Sequence, residues 1–239
     1  MKTIGMIGGM SWESTAEYYA LINEAVKGAL GGYHSAKCIL HSVDFHEVEA
    51  CQSAGEWDKV GDMLANAAQG LERAGADFII LCTNTMHKVL PQIQARVSIP
   101  ILHIADALAK VLKENGITKV ALLGTRYTME QDFYIARIKS HGINVLVPEK
   151  EDRDFINRVI FEELCQGILR PASRERYVRI IEELYALGAQ GAVLGCTEIG
   201  LLVKQTDTNI PLFDTTRIHA QMAVRLALQC DQADFSALT

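Results

Sequence analysis

The sequence predicts an α/β protein made of two pseudo-symmetric lobes, each with a mainly parallel sheet. Short apolar runs alternate with stretches of helical periodicity along the chain. The same series of segments occurs twice, once in each half. Two corresponding apolar runs also end in small polar segments. A chain of 239 residues is long enough for two modest domains.

Seven apolar runs are predicted to be strands: residues 2–7, 37–43, 77–82, 99–103, 119–123, 143–147 and 191–195. Between them, apolar side chains recur at steps of three and four residues, which is the pattern of a helix that covers a sheet. One such stripe runs from Trp57 to Leu71, and another runs from Phe155 to Ile168.

The internal repeat consists of three pairs of similar segments that occur in the same order. Residues 2–8 match 118–124, residues 75–81 match 188–194, and residues 99–102 match 210–213. The two Ile-Pro segments are the natural points at which the chain passes from one lobe to the other. We therefore expect one lobe to hold residues 1–98 plus 212–239 and the other to hold 99–211.

The repeat makes Thr83 the counterpart of Cys196, since they stand at equal distances from Gly75 and Gly188. Each follows a predicted strand and precedes a helical pattern, and open α/β sheets bind ligands at the carboxyl ends of their strands. Two such groups can serve a racemase, in which one removes the α-proton and the other delivers a proton to the opposite face. A polar strand end before a helix is also ordinary capping chemistry, but its duplication favours the catalytic interpretation.

The turn after the first strand, Gly8-Gly9-Met10-Ser11, has two possible roles. It lacks the glycine spacing of dinucleotide sites and the G-K-[ST] ending of triphosphate sites. It is either a tight strand-to-helix turn or a cradle in which backbone N–H groups approach a carboxylate. Its counterpart, residues 124–128, should face the same cleft. Hydroxyl groups can add hydrogen-bond donors there, from Ser11, Thr85, Thr125 and Thr197.

Composition excludes several classes of partner and cofactor. The formal net charge is −6 and no cluster of Lys or Arg is present, which argues against nucleic acid and membrane partners. The apolar N-terminal run is too short for a signal peptide or a membrane span. No lysine lies in a context that favours a pyridoxal Schiff base. The acidic and imidazole side chains at His41, His46, Glu47 and Glu49 lack metal-site spacing. We therefore expect neither cofactor nor metal.

The six cysteines form no C-x-x-C pair, which predicts reduced thiols and a cytoplasmic protein. We expect Cys38, Cys51, Cys82 and Cys230 to pack as small hydrophobic residues.

Three segments resemble the signature sequences of the aspartate/glutamate racemase family: Gly8-Gly9-Met10-Ser11, Asn84-Thr85 and Gly195-Cys196-Thr197-Glu198. The resemblance runs the length of the chain. It implies two α/β/α lobes with the active site in the cleft between them, a homodimer, and no pyridoxal phosphate. It also implies that Cys196 takes the proton from the L-enantiomer.

The sequence departs from the family pattern in two places. Relatives carry a cysteine where this chain has Thr83. They also often hold the substrate's side-chain carboxylate with an arginine and a lysine, where this chain offers His46 or Glu47 and then Cys165. Gln52 and Arg126 are possible substitutes. The substrate-binding residues are therefore predicted to be Met10, Ser11, Gln52, Asn84, Thr85, Thr125, Thr128, Thr197 and Glu198.

The resulting hypothesis is racemisation of a small amino acid, with aspartate or glutamate first, by Cys196 on one side and Thr83 on the other. Because a Thr hydroxyl is far less acidic than a thiol, Thr83 can donate or relay a proton more readily than it can remove one. Alternatives from the same superfamily are a single-cysteine decarboxylase and a maleate-type isomerase. An amino-acid or dicarboxylate binding protein without catalysis is the alternative from another class.

Overall fold

The computed structural model describes residues 1–229, and the chain packs as two compact units. The first unit holds Met1–Ala107 and the described residues from His219 to Gln229, and the second holds Leu108–Ile218. The domain limits expected from the sequence stay a prediction. Cys230, expected to pack in the core, lies outside the described residues. Among residues 1–229, no helix has the length and apolar character needed to cross a bilayer.

The first unit is built on a three-stranded parallel sheet with the strand order β2-β1-β3. Its strands are β1 (Ile4–Gly8), β2 (Cys38–Ser42) and β3 (Phe78–Leu81). Its helices are α1 (Trp12–Leu30), α2 (Phe45–Ser53), α3 (Trp57–Arg73) and α4 (Leu90–Gln94), with a 3₁₀ turn at Thr85–Val89. Helix α5 (Ile104–Glu114) begins in this unit.

Helix α3 confirms the first predicted apolar stripe. Val60, Leu64 and Leu71 are almost fully buried and belong to the core that covers one face of the sheet. Burial of each such side chain contributes about 1.5–3 kcal/mol. The polar residues of α3 lie on the opposite face, so the stripe sets the orientation of the helix on the sheet.

The second unit is built on a four-stranded parallel sheet with the order β5-β4-β6-β7. Its strands are β4 (Lys119–Gly124), β5 (Asn144–Leu146), β6 (Ala192–Gly195) and β7 (Leu212–Asp214). Its helices are α6 (Arg126–Glu130), α7 (Asp132–Ser140), α8 (Lys150–Glu162), α9 (Pro171–Ala186) and α10 (Ile199–Leu202), with 3₁₀ turns at Leu164–Gln166 and Gln205–Asp207. Helix α11 (Thr215–Leu228) begins here and continues into the first unit.

Helix α8 follows only part of the second predicted stripe. Ile156, Val159 and Ile160 are buried, but α8 ends at Glu162. Gly167 then takes a left-handed conformation with φ of 71°. The chain changes direction there, so Ile168 is 41% exposed and its predicted place in the stripe is wrong.

The two sheets share one topology, which confirms the predicted α/β class. β1 and β4 are central, β2 and β5 flank them on one side, and β3 and β6 flank them on the other. The run predicted as a strand at 99–103 contributes only one bridge, between Ile101 and Ile79. That prediction is therefore wrong over most of its length, and α5 begins at Ile104, directly after this run. Its counterpart, by contrast, forms β7.

Candidate active site

In the first unit, the Thr83 segment lies beside the glycine turn. β1 and β3 are adjacent, with Ile7 opposite Leu81, and the N–H of Cys82 donates to the carbonyl of Ile7 at 2.9 Å. Gly9 and Thr83 therefore follow neighbouring strands at the same edge of the sheet. Gly9 has a φ of 92°, and a Cβ there would meet the backbone of Val43, so the turn requires glycine.

Ser11 and its neighbours organise this turn as a helix cap. The Ser11 hydroxyl oxygen accepts from the N–H of Ser14 at 3.3 Å, so Ser11 is the N-cap of α1. The Thr15 hydroxyl donates to the Ser11 carbonyl and accepts from the N–H of Gly9, both at 2.8 Å. The Ser14 hydroxyl donates to the carbonyl of Cys82 at 3.3 Å, which joins α1 to the end of β3.

In the second unit, the Cys196 segment has the corresponding neighbour. Gly124 and Gly195 are opposite each other at the ends of β4 and β6, so Thr125 and Cys196 follow adjacent strands. A Cβ on Gly124 would lie 2.9 Å from the carbonyl oxygen of Gly195, and a Cβ on Gly195 would lie 3.0 Å from the carbonyl oxygen of Leu123, which explains why both strands end in glycine. Thr125 caps α6 by accepting from the N–H of Thr128 at 3.3 Å.

The predicted site residues lie in both units, and most of them are at or shortly after the end of a strand. Within the first unit lie Met10, Ser11, Gln52 (on α2), Thr83, Asn84 and Thr85. Within the second lie Thr125, Thr128, Cys196, Thr197 and Glu198. All except Cys196 are buried, and Cys196 is partly accessible. Such a concentration of buried polar side chains at strand ends is typical of a binding site.

Cys196 shares the carboxylate of Glu198 with Thr197. The Cys196 thiol donates to Glu198 Oε2 at 3.0 Å, and the Thr197 hydroxyl donates to the same oxygen at 2.6 Å. Burial raises the pKa of the Cys196 thiol well above its ordinary value, and the Glu198 carboxylate and then Cys165 raise it further. The resting group is therefore a thiol with a carboxylate acceptor in contact.

Sequence reasoning missed a buried polar cluster behind Thr83. The cluster includes His87, three residues after Asn84. Its ring is buried; Nδ1 lies 3.3 Å from the carbonyl oxygen of Asn84, and Nε2 accepts from the N–H of Ile104 at 3.2 Å. These partners define a neutral ring with its proton on Nδ1. The local signal was the spacing of three residues between Asn84 and His87.

His219 and Tyr18 complete this cluster. The Nε2 of His219 lies 3.1 Å from the carbonyl oxygen of Leu102, so it carries the proton. Its Nδ1 accepts from the Tyr18 hydroxyl at 2.9 Å. Burial lowers the pKa of His219 to about 3 and that of His87 to about 4, so both rings are neutral near pH 7. Because Tyr18 and His219 are far apart along the chain, nothing in the sequence indicated that they are in contact.

Several side chains considered as substitutes for the family's carboxylate-binding residues have other surroundings. The Arg126 guanidinium pairs with Asp154 at 2.8 Å. His46 and Glu47 are exposed on α2. Cys165 lies in the 3₁₀ turn at Leu164–Gln166 and packs against the same core as Cys196. Among the described residues, no group of three His, Cys, Asp or Glu side chains is placed to hold a metal ion.

Comparison with known proteins gives one family. Residues 7–223 match the model of the Asp/Glu/hydantoin racemase family. A candidate Asp/Glu racemase from Yersinia pestis is 56% identical, with 96% of this chain and 100% of that chain covered and a TM-score of 0.90. An aspartate racemase homologue from Pyrococcus horikoshii is 40% identical, with 96% and 100% covered and a TM-score of 0.85. The broad specificity amino-acid racemase RacX of Bacillus subtilis is 26% identical over 70% of this chain and 72% of its own length. The chain therefore belongs to the Asp/Glu/hydantoin racemase family, a family of amino-acid racemases within the isomerases.

Proposed function

We propose that the protein racemises aspartate or glutamate without a cofactor, with Cys196 acting on the L-enantiomer and Thr83 serving the D-side. The observation that carries this proposal is the equivalence of the two residues. Thr83 follows β3, Cys196 follows β6, and each strand is the neighbour of a strand that ends in a glycine turn. One topology thus supplies two proton-transfer positions, which is what a racemase requires.

On the Cys196 side, Glu198 is the acceptor of the thiol proton. Because the resting thiol has a raised pKa, it cannot act as a base until its proton leaves. The 3.0 Å hydrogen bond to Glu198 Oε2 is the path for that proton. The transfer leaves a thiolate and a neutral carboxylic acid, and the thiolate then takes the α-proton of the L-substrate. This role differs from the substrate-binding role predicted for Glu198 from the sequence.

On the Thr83 side, the carbanion receives a proton from the hydroxyl or from a water held by it. A Thr hydroxyl is a poor base, so Thr83 donates or relays a proton more effectively than it removes one. Meanwhile, charge that flows into the α-carboxylate can be stabilised by backbone N–H groups that follow Asn84 and Thr197. The proposal therefore divides the reaction into an efficient half on the thiol side and a slower half on the hydroxyl side.

The substrate range is part of the proposal. Aspartate and glutamate come first because the description of the family names them, and the name of RacX supports a test of further amino acids. We also propose that the protein is a homodimer, as the family resemblance implies.

Deuterium exchange at Cα in D₂O tests the proposed function. Purified protein should incorporate solvent deuterium into aspartate or glutamate and form the opposite enantiomer. Cys196→Ala should abolish both processes while the far-UV circular dichroism spectrum is retained. Release of CO₂ from a substituted malonate without Cα exchange indicates a decarboxylase instead. Binding of an amino acid without exchange indicates a binding protein.

A further inference from the structure

We propose that His87 is a positioning residue that fixes Thr83 for proton transfer on the D-side. The inference rests on the proposed function, since it assigns a role within that reaction. It concerns only the first unit, where His87, a member of the buried cluster with His219 and Tyr18, is hydrogen-bonded to the residue that follows Thr83.

His87 holds the segment that follows Thr83 through two hydrogen bonds to one carbonyl. The backbone N–H of His87 donates to the carbonyl of Asn84 at 3.2 Å, and the ring Nδ1–H donates to the same oxygen at 3.3 Å. The imidazole is therefore bonded to the chain directly after the proposed proton-transfer residue.

The segment before Thr83 is held independently. The Ser14 hydroxyl donates to the carbonyl of Cys82 at 3.3 Å. Because each peptide unit is planar, anchoring the carbonyls of Cys82 and Asn84 leaves only the dihedral angles of Thr83 and Asn84 between the two fixed peptide units, which limits the rotation of Thr83. The direction of the Thr83 hydroxyl then depends on its single side-chain torsion, which takes few values in a β-branched residue.

The opposite side of the His87 ring is attached to a fixed point. Nε2 accepts from the N–H of Ile104, at the start of α5. Two residues earlier, the carbonyl of Leu102 accepts from His219, which is itself held by the Tyr18 hydroxyl. Helices α1 and α11 therefore restrain the chain on which His87 rests. Since the His87 ring stays neutral near pH 7, both of its hydrogen bonds persist there.

Partition of deuterium tests this role. L-aspartate is incubated with the enzyme in D₂O, and the initial rates of formation of deuterated D-aspartate and deuterated L-aspartate are measured after chiral separation. Deuterated L-product reports return of the proton from the Cys196 side, and deuterated D-product reports delivery from the Thr83 side. A general loss of folded protein lowers both rates equally, so the ratio of D to L isolates the Thr83 side.

Two replacements separate the two bonds of the ring. His87→Asn keeps an N–H near the position of Nδ1 and can still bond Asn84, whereas His87→Gln places its amide at the position of Nε2 and loses that bond. We expect His87→Gln to lower the D-to-L ratio roughly tenfold, because small displacements of a reacting group are costly. His87→Asn should restore the ratio to within about threefold of wild type.

Two further variants complete the design. Val26→Ala is the control for a general loss of stability, because it removes buried volume from α1 outside the cluster of His87, His219 and Tyr18, and it should leave the ratio unchanged. Ser14→Ala removes the bond to Cys82 and should lower the ratio as His87→Gln does, which keeps the test decisive if His87→Gln does not fold. An unchanged ratio in folded His87→Gln overturns the inference, and if His87→Gln does not fold, an unchanged ratio in Ser14→Ala overturns it. Absence of any exchange by wild type refutes the proposed function instead.

Discussion

Acid should destabilise the protein through His87, and replacement of this residue by Asn should remove that part of the pH dependence. Burial holds the pKa of His87 at about 4, against an ordinary value of 6.5. Below pH 6.5 the unfolded chain therefore binds a proton that the folded chain does not bind. By linkage, the free energy of unfolding falls as the pH drops from about 6.5 and stops falling near pH 4. Protonation of His87 in the folded protein places an N–H against the N–H of Ile104, and this adds a physical reason why the folded protein resists protonation of the ring.

The magnitude follows from the two pKa values. Their difference corresponds to about 3 kcal/mol in total, of which about 2 kcal/mol develops between pH 7 and pH 4.5. Replacement of His87 also removes one of the causes that lower the pKa of His219, so this contribution adds to the difference between the two proteins with the same sign. The packing cost of the smaller Asn side chain is the same at both pH values.

Urea unfolding at pH 7 and pH 4.5 measures this effect. Wild type should lose about 2 kcal/mol more than His87→Asn between the two pH values. His34→Asn, which replaces an exposed histidine, should behave as wild type. Equal losses of unfolding free energy in wild type and His87→Asn between the two pH values would show that the His87 ring is not held neutral by its surroundings.

Four further predictions concern the proposed reaction. Cys82→Ala should keep Cα exchange and lower the free energy of unfolding by only about 1 kcal/mol or somewhat more, because Cys82 is a buried packing residue. Loss of exchange in this variant would show that Cys82, one residue before Thr83, is the true counterpart of Cys196. Glu198→Gln should shift the pH profile of Cys196 alkylation by iodoacetamide to lower pH, because it removes a carboxylate that raises the thiol pKa. The same variant should lower the rate of Cα exchange at least roughly tenfold, because it removes the proposed proton acceptor. Enzyme dialysed against EDTA should racemise as fast as fresh enzyme, and recovery only with an added metal or pyridoxal phosphate contradicts the mechanism. Thr83→Cys should raise kcat for the D-enantiomer. In both proteins kcat/KM must be equal in the two directions, because enantiomers have equal free energies. A wild-type enzyme that never consumes the D-enantiomer excludes simple racemisation.

The sequence was sufficient to predict the fold class because the relevant signals are local. Strands buried on both faces leave continuous apolar runs, and helices on a sheet leave stripes. The internal repeat also predicted that Thr83 and Cys196 occupy corresponding strand ends, which the shared sheet topology bears out as a feature of the fold. Their roles in catalysis stay a prediction.

The polar contacts that hold the segments after the strands could not be predicted from the sequence. Tyr18 and His219 meet although they are 201 positions apart, and an isolated histidine in an amphipathic helix gives no sign of its partner. Glu198 illustrates a different difficulty. Its position two residues after Cys196 was visible, but spacing alone does not say whether a carboxylate faces a ligand or the neighbouring thiol.

The protonated state of Cys196 also bears on its resistance to oxidants. Peroxide attacks thiolates far faster than thiols, so a cysteine whose pKa is raised is a poor target while the enzyme is at rest. Many enzymes that depend on a permanently ionised cysteine lose activity when that sulfur is oxidised to a sulfinic acid. In the proposed mechanism the reactive form exists only while Glu198 holds the proton, which confines the oxidant-sensitive state to turnover.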